Sequence, residues 1–552
     1  MLAPPMVSVP SPPSRTAPAP DATGDPLPLP LLADLARPDA FPPPPPSRVT
    51  VASTHASWVF LTDGEAWKVK RPVSFGFLDF STAEKRRHSC EEEVRLGARL
   101  APDVYRGVAL VYRSGGRHAF AGPGEVVDHA VRMRRLPDER SAAALLAAGA
   151  LTPPLLQALA VRLAAFYRET PQTPELGAPA LLAANIAENE AQLRPWEGRF
   201  VAAEDSDHLH RWQEGELFAQ EARLLERIAL GHIRDGHGDL RLEHVYFPAA
   251  PAEPPLVIDP IDFNRTFRCG DSALDVAFLA MELEAAERPD LAACFLSAFA
   301  GASDDYHFYP LLDLYLSYRA VVRAKVACMV AGDPSTPPEK VARKAADAAR
   351  LLALARSYQQ RQAPAPLVLA VGGQIGSGKS TLAEVLARRL QAPVVSSDAT
   401  RKHLFGIPAH QRGGPELYTA EASERTYDGV MQRAQQVLSS RRGVILDASF
   451  HQPQRRQQAR TLARVNDRPF LLVELVADQA LLRERLRQRE HQPSLSDARE
   501  AQLAELSRSY RPPTELGTGE LLRLDAGRDP EALADQVVRA IGADAVTRSS
   551  PR

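Results

Sequence analysis

Cysteine is scarce in this chain of 552 residues, and none of its cysteines belongs to a C-x-x-C pair. Without such pairs the sequence offers neither a disulfide framework nor a cysteine-based zinc site, and scattered thiols are typical of a reducing compartment. The four cysteines are Cys90, Cys269, Cys294 and Cys328. We therefore expect free thiols and a cytoplasmic protein.

Long apolar runs and an excess of one charge are also missing. No run approaches the roughly 20 residues that span a membrane, and the N-terminus lacks the basic start and apolar core of a signal peptide. The net charge is -2, and the chain has no tracts in which aromatic and basic residues alternate. This balance counts against a nucleic-acid partner. We expect no membrane segment, and no feature predicts an oligomeric state.

Proline, by contrast, is abundant at one end of the chain. The first 46 residues contain 16 of the 48 prolines and end in the run Pro42 to Pro46. Proline has no backbone N–H and disfavours helix and sheet ladders, so we predict a disordered leader over residues 1–48. The whole length is too great for one core, which predicts two or three domains.

The most informative segment fits G-x-x-x-x-G-K-[ST], the phosphate-binding loop of nucleotide kinases and NTPases. It is Gly373-Gln374-Ile375-Gly376-Ser377-Gly378-Lys379-Ser380, followed by Thr381. An apolar run before it predicts a buried strand, and apolar residues at helical spacing after it predict a helix. Glycines let backbone N–H groups cradle phosphate oxygens at a helix N-terminus. We therefore predict that this loop binds ATP, with Lys379 on the phosphates and Ser380 on Mg²⁺.

Further apolar segments alternate with helical patterns after this loop, which predicts a parallel sheet with helices on both faces. The predicted strands are Val394–Asp398, Gly443–Asp447, Phe470–Val476 and Leu521–Asp525. Asp398 and Asp447 end two of them, where such sheets place ligands. An acid there can hold the Mg²⁺ shell, which we assign to Asp447, or accept a proton from an attacking hydroxyl. The alternative for each acid is a helix cap.

Around these acids the sequence resembles the zeta-toxin, polynucleotide-kinase and gluconate-kinase group of P-loop kinases. The resemblance rests on the segments Ser397–Lys402 and Val444–Phe450 and extends over about residues 367–540. It implies that Asp398 activates the acceptor hydroxyl and that Arg401 helps to bind the substrate.

The same resemblance implies a basic lid that closes over the phosphates. A predicted helix over Leu481–Glu490 carries arginines that would neutralise charge in the transition state. Arg485 and Arg489 share one face and are candidates for nucleotide binding; Arg483 and Arg487 share another, and the choice stays open. The alternative is a solvated basic face that pairs with neighbouring glutamates.

Upstream, a second set of segments resembles the catalytic and metal-binding segments of aminoglycoside phosphotransferases and fructosamine kinases. The segments are His237-Gly238-Asp239-Leu240-Arg241-Leu242-Glu243-His244 and Leu256–Phe263. The resemblance implies that Asp239 accepts the substrate proton and that Asp259, or as a close second Asp262, binds Mg²⁺. His244 stands where the family has a metal-binding asparagine. Because Mg²⁺ prefers oxygen ligands, either one metal ion suffices or this site is weakened.

A predicted hairpin before these segments supplies a lysine of the kind that kinases place on ATP phosphates. Residues two apart on a strand share a face, so the residue two before the phosphate-binding lysine would face adenine. That residue is the small, apolar Ala66 if the lysine is Lys68, but it is the charged Lys68 if the lysine is Lys70. We therefore choose Lys68, with Lys70 as the alternative. Glu93 is the candidate helix partner, although Glu91 or Glu92 would also serve. No clear glycine-rich loop precedes the hairpin.

The whole sequence resembles bacterial two-domain proteins that fuse a phosphotransferase-like domain to a P-loop kinase. We predict a kinase-like α+β domain, a linker, an α/β P-loop domain and a disordered tail; their bounds are 49–362, 363–366, 367–542 and 543–552. The leading hypothesis is an ATP- and Mg²⁺-dependent phosphotransferase that acts on a small hydroxylated acceptor. The alternatives are a regulatory P-loop ATPase with a degenerate kinase-like ligand-binding domain and a nucleic-acid end kinase. Acceptor specificity has no motif, so the acceptor itself stays open.

Overall fold

The computed structural model describes most of the chain as two compact units. The described residues are 29–54, 56–74, 78–250, 253–334, 336–361, 365–408, 411–489, 503 and 508–548. The first unit contains the residues up to Pro137 together with Asp259–Arg265. The second contains Asp138–Ile258 and the residues from Thr266 onward.

The first unit is built on an antiparallel sheet of six strands in the order β1-β2-β3-β6-β4-β5. The strands are β1 (Thr50–Ser53), β2 (Ser57–Leu61), β3 (Glu65–Lys70), β4 (Tyr105–Ser114), β5 (Arg117–Ala119) and β6 (Glu125–Arg134). Strands β2 and β3 form the predicted hairpin. The helix predicted after it begins where Thr82 accepts a hydrogen bond from the backbone N–H of Lys85. We label this helix α2 (Ala83–Gly97).

The prediction of a disordered leader over residues 1–48 is wrong from residue 29 onward. A helix, α1 (Leu29–Leu35), and a short 3₁₀ turn over Pro38–Ala40 occupy this stretch. Leu31 and Leu35 lie four residues apart and are fully buried in one apolar cluster with Phe41. Pro30 is tolerated because it stands in the first turn of the helix, where a backbone N–H has no helical acceptor. Residues 1–28 lie outside the described part of the chain.

The second unit begins with a block made mostly of helices. Its elements are α3 (Ala142–Ala147), α4 (Pro153–Glu169), α5 (Pro179–Leu193), α6 (Ala203–Ala219), α7 (Glu221–Ala229), α8 (Arg265–Arg268, whose first residue belongs to the first unit), α9 (Ser272–Ala285), α10 (Pro289–Ser303), α11 (Leu312–Gly332) and α12 (Pro338–Ser357). Two short antiparallel pairs join β7 (Ile233–Asp235) to β10 (Cys269–Asp271) and β8 (Val245–Tyr246) to β9 (Leu256–Val257). The loop that carries Asp239 lies between β7 and β8.

The rest of the second unit is a five-stranded parallel sheet in the order β12-β13-β11-β14-β15. The strands are β11 (Val368–Gly373), β12 (Val394–Ser396), β13 (Val444–Asp447), β14 (Phe470–Val476) and β15 (Leu521–Asp525). The helices are α13 (Lys379–Leu390), α14 (Ser397–Leu404), α15 (Ala420–Leu438), α16 (Pro453–Val465), α17 (Gln479–Arg489) and α18 (Pro530–Arg548). The predicted α/β sheet is confirmed. Helix α18 runs to Arg548, so the disordered tail predicted over residues 543–552 is wrong for residues 543–548, and residues 549–552 lie outside the described part of the chain.

The helical block packs against one edge of this sheet. Strand β12 is the edge strand, and its Val394 donates its N–H to the Ser297 hydroxyl (3.0 Å) and accepts from the Tyr306 hydroxyl (3.0 Å). Arg442 of the sheet region pairs with Asp313 of α11 (2.6 Å). The boundary predicted at 363–366 therefore does not separate two compact units. Within the described residues, no helix is long and apolar enough to cross a membrane.

Helix α1 supplies a direct test of the correction to the leader. Leu35→Ala removes a fully buried side chain, so we expect the free energy of unfolding to fall by roughly 2–5 kcal/mol in denaturant titrations of the full chain. Val51→Ala, at an exposed position of β1, is the matched control and should cost less than about 1 kcal/mol. Equal losses for the two variants would show that α1 does not contribute to the core.

Candidate functional site

The phosphate loop connects the central strand β11 to the N-terminus of α13. Gly373 has φ +137°, and a Cβ there would come within 2.5 Å of the Leu475 carbonyl oxygen. Gly378, the N-cap residue directly before α13, has φ +90°. Only glycine adopts these conformations readily, so the backbone can turn its N–H groups toward one point above the sheet. The predicted cradle for phosphate oxygens is therefore formed by the chain itself.

The two side chains at the start of α13 face a buried acid. The Ser380 hydroxyl donates to the Asp447 carboxylate (2.7 Å), and the Lys379 ammonium donates to the Gln374 carbonyl oxygen (2.9 Å). Asp447 ends β13, the strand next to β11, and is 5% exposed. Burial raises the pKa of Asp447 to about 6, against the lowering effects of the Lys379 charge and the Ser380 hydrogen bond.

These residues fit a magnesium nucleotide. The Ser377 hydroxyl is buried in the loop and has no hydrogen-bond partner within the described part of the chain, which leaves a donor for a phosphate oxygen. Ser380 and Asp447 offer the oxygen ligands that Mg²⁺ prefers, next to the cationic Lys379. When bound, Mg²⁺ would neutralise charge on the phosphates.

Asp398 and Arg401 lie in helix α14, directly after the neighbouring strand β12, which corrects the prediction that Asp398 ends a strand. Strand β12 stops at Ser396, and Asp398 stands in the first turn of α14 instead of ending a strand. The cap of α14 is Ser396, whose hydroxyl accepts the Ala399 N–H at 3.5 Å, so Asp398 does not serve as the helix cap. The β12–β13 register pairs Ser396 with Asp447, which places Asp398 at the same edge of the sheet as the loop.

Arg401 orients the side chain of Asp398. Its guanidinium donates to the Asp398 carboxylate at 3.3 Å and lies over the Tyr418 ring at 4.7 Å. Arg401 is largely buried, whereas the Asp398 carboxylate keeps 29% of its side chain exposed. A partly exposed carboxylate fixed by a buried arginine is suited to receive a proton from an incoming hydroxyl.

One lid candidate reaches the phosphate loop. Arg485 of α17 donates to the Ser377 carbonyl oxygen (3.3 Å) and to the Ala526 carbonyl oxygen (2.8 Å). Arg483 is exposed, and the side chain of Arg489 lies outside the described residues. The structure thus brings Arg485 to the loop, a choice that helical spacing alone could not make.

Sequence reasoning assigned no role to a polar group just beyond Asp447. The Ser449 hydroxyl lies 2.8 Å from His451 Nδ1 and 3.1 Å from the Tyr427 hydroxyl. The Ser449 carbonyl oxygen accepts the N–H of Gly373, so this group is attached to the phosphate loop. Burial lowers the pKa of His451, which favours a neutral imidazole there. The sequence signal that could have identified this group is its position, because its polar residues directly follow a strand that ends beside the phosphate loop.

Within the first unit, the predicted lysine site forms around Glu93 of α2. Lys68 contacts one carboxylate oxygen of Glu93 (3.0 Å), and Lys70 contacts the other (2.5 Å). Lys68 also pairs with Asp259, and Lys70 pairs with Asp262 (2.8 Å). Burial opposes protonation, but these carboxylates raise the pKa of both lysines above its ordinary value. The structure therefore brings the chosen Lys68, Glu93 and Asp259 together with the alternatives Lys70 and Asp262. The other two alternatives, Glu91 and Glu92, pair with Arg87 and Arg95.

Within the second unit, a buried acid fixes the loop of Asp239. Asp275 accepts the N–H groups of His237 (2.7 Å) and Gly238 (2.9 Å), which sets the conformation just before Asp239. His244 Nδ1 lies 2.9 Å from the Asp239 carbonyl oxygen and 3.5 Å from its carboxylate. A carbonyl oxygen only accepts, so Nδ1 carries the proton in this contact. The His244 imidazole thus forms a hydrogen bond within the loop that carries Asp239.

Known proteins resemble this chain over most of its length. The Mycobacterium tuberculosis (strain ATCC 25618 / H37Rv) protein named Uncharacterized protein Rv2004c is 34% identical over 424 residues, which are 75% of this chain and 81% of the relative. The Mycobacterium bovis protein named Uncharacterized protein Mb2027c matches equally. The chain belongs to the family of these mycobacterial proteins.

A family model described as an AAA domain, AAA_33, matches residues 368–513 of this family member. Solved structures of similar fold include a gluconokinase from Sinorhizobium meliloti 1021 (20% identity, 35% of this chain and 100% of that chain, TM-score 0.27). Another is Chaetomium thermophilum Kti12 in complex with ADP-AlF3 (21% identity, 32% and 97%, TM-score 0.25). The phosphate loop and four of the five strands of the parallel sheet lie within the residues that this model matches, and they identify the C-terminal region as a P-loop nucleotide-binding domain.

The raised pKa of Asp447 predicts how nucleotide binding depends on pH. In the free protein this group contributes stability below its unfolded pKa of about 4, and the contribution is lost as the pH rises through about 6. Metal binding depends on pH in the opposite direction, because Mg²⁺ needs the ionised carboxylate. We therefore expect the affinity for a Mg²⁺-bound ATP analogue to fall by up to about tenfold per pH unit below about pH 6.

Calorimetry on the full chain between about pH 5 and about pH 7.5 tests this expectation. Asp447→Asn is the matched variant, because it removes the titrating carboxylate and leaves the titration of the nucleotide phosphates in place. If the affinities of both proteins change equally with pH, Asp447 is not the metal-binding acid.

Proposed function

We propose that this protein is an ATP-dependent phosphotransferase whose acceptor is a small hydroxylated molecule. The observation that carries the proposal is the convergence of three groups at one edge of the parallel sheet: the loop with Lys379, the metal-type pair Ser380 and Asp447, and the partly exposed carboxylate of Asp398. A nucleotide hydrolase needs only the first two. The third favours transfer, because it offers a base at the strand end beside the phosphates.

The chemistry then divides among these residues. The acceptor oxygen would bond to the γ-phosphorus while the bond to the β–γ bridging oxygen breaks, and ADP would leave with that electron pair. Asp398 would take the hydroxyl proton, held in place by Arg401. Lys379 and Arg485 would face the charge that spreads over the phosphoryl oxygens.

We further propose that the upstream part of the chain is a kinase-like domain of the aminoglycoside-phosphotransferase type. Within the first unit, the contact of Lys68 with Glu93 and Asp259 supports this assignment. Within the second unit, the support is the Asp239 loop fixed by Asp275. Within the first unit, Asp259 and Asp262 would hold Mg²⁺. Within the second unit, His244 takes the sequence position of the family's asparagine.

A second candidate function is a regulatory ATPase with a degenerate upstream domain. The observation that favours it is the engagement of His244 with the backbone and carboxylate of Asp239, since an imidazole used in this way contributes little to a magnesium site.

Lys379→Ala tests the phosphate loop. We expect it to lower ATP turnover by the full chain at least about 10²-fold, because the lost charge stabilises the transition state. Lys340→Ala, on the exposed face of α12, is the matched control and should leave turnover unchanged. Turnover that survives Lys379→Ala would place the activity elsewhere.

Asp398→Asn separates the base from the nucleotide site. We expect phosphate transfer from ATP, screened over pooled metabolites, to fall at least about 10²-fold while the affinity for ATP changes little, because a base acts in the transition state. Asp467→Asn, at an exposed position with φ +51° that asparagine tolerates, controls for loss of one carboxylate. Parallel losses of affinity and rate would instead indicate that Asp398 holds metal or structure.

His244→Asn distinguishes the two candidate functions of the upstream domain. If His244 replaces the family's asparagine, the change should preserve or raise transfer that depends on Asp239 and should sharpen its dependence on Mg²⁺ concentration. Asp239→Asn should abolish that transfer. If Mg²⁺-ATP does not bind to a Lys379→Ala chain with either residue at position 244, the upstream domain does not use ATP and the second candidate function is favoured.

A further inference from the structure

A cavity of about 350 Å³ lies in the helical block beside the loop that carries Asp239. One wall is formed by the loop residues Arg241–Glu243, and the others come from α3, the end of α9, α11 and α12. Arg241 connects the cavity to the candidate base, since its guanidinium lies 4.0 Å from the Asp239 carboxylate. A volume of this size suits a small molecule.

The charged lining of this cavity is weighted toward cations. Four basic side chains face three acidic ones: Arg241, Arg323, Lys344 and Arg350 against Glu243, Glu282 and Asp347. The acids are already engaged, since Glu282 accepts from the Arg241 guanidinium (3.0 Å) and from a backbone N–H (2.8 Å). Asp347 accepts from Lys344 at 2.9 Å. The lining therefore has more positive charge than its own acids neutralise.

Arg323 shares its acidic partner with a second arginine of the lining, Arg241. Within the described part of the chain, its one acidic neighbour inside 4 Å is Glu282, at 3.5 Å from Nε. Its side chain is 22% exposed. Burial, together with the charge of Arg241, lowers the pKa of Arg323. A half-buried guanidinium beside another one, facing a cavity, is electrostatically suited to an anion.

The remaining lining is apolar and made of small side chains. Ala285 and Ala286 at the end of α9 and Val326, Ala327 and Val330 on α11 form this surface. Such a surface accepts the C–H face of a compact molecule, while the arginines and glutamates offer donors and acceptors for hydroxyl groups.

We infer that this cavity binds a small polyol that carries a phosphate or carboxylate group, with the anion on Arg323 and a hydroxyl directed toward Asp239. The inference names the acceptor class of the proposed upstream kinase-like domain and rests on that proposal for the acceptor's role, although binding can be measured without it. In transfer, the acceptor oxygen would bond to the γ-phosphorus of ATP, its proton would pass to Asp239, and ADP would leave.

Calorimetry on the full chain tests the site with inorganic phosphate, glucose 6-phosphate, gluconate and glucose as probes. All proteins carry Lys379→Ala, which weakens anion binding at the phosphate loop. We expect the anionic probes to bind and uncharged glucose to bind at least about tenfold more weakly. Arg323→Gln should weaken the anionic probes at least about tenfold, and Arg323→Lys should retain most of the affinity because it keeps the charge.

Arg343→Gln is the matched control, because Arg343 is an exposed arginine of α12 that does not line the cavity. It should leave binding unchanged. Equal binding of glucose and glucose 6-phosphate, equal binding by the Arg323→Gln and Arg343→Gln proteins, or no binding of any anion would overturn the inference.

A transfer assay with the tightest probe separates this inference from the proposed function. If binding depends on Arg323 but no transfer depends on Asp239, the anion site stands and the upstream domain is not a kinase. If transfer depends on Asp239 while Arg323→Gln leaves both binding and KM unchanged, the kinase proposal stands and the cavity is not its acceptor site.

Discussion

The residues of the P-loop region are arranged around a buried carboxylate whose negative charge is only partly compensated. Asp447 is held at the end of β13, one hydrogen bond from Ser380 and near the Lys379 charge, and burial still raises its pKa to about 6. A bound divalent cation would favour the ionised form by supplying the missing positive charge. The glycines of the loop, the parallel strand order and the position of α13 all serve to bring phosphate oxygens to this one point.

The strands of this sheet were predictable because each is a short, continuous apolar run, as expected for strands covered on both faces. β14 and β15 have the predicted bounds. The end of β12 was not predictable, because Ser396 and Asp398 are both good caps and only the folded backbone shows that Ser396 is the one used. The contact of Arg485 with the phosphate loop was not predictable either. Helical periodicity places Arg485 on one face of its helix but does not show which carbonyl oxygens that face contacts.

Composition misled the prediction at the N-terminus. A high proline content argues against long ladders, but the spacing of Leu31 and Leu35 is sufficient for a two-turn helix once a sheet face covers both side chains. At the lysine hairpin, the period of two correctly placed Lys68 and Lys70 on one face. It could not choose between them, because Glu93 has two carboxylate oxygens and contacts both ammonium groups. Local sequence patterns determine the direction of a side chain, whereas contacts with residues distant in the sequence determine its role.

The edge strand β12 shows why the helical block and the P-loop sheet act as one unit. An exposed edge presents unpaired backbone groups, yet here the N–H and carbonyl of Val394 bond to Ser297 and Tyr306. His403, on the helix that carries Asp398, contacts the Gly301 carbonyl oxygen at 3.0 Å. Helix α10 and the segment after it thus bond to the edge where a sixth strand would pair, and α10 also contacts the helix of the candidate base. A P-loop region cut away from this block would expose β12 and loosen Asp398, so its activity would not measure that of the full chain.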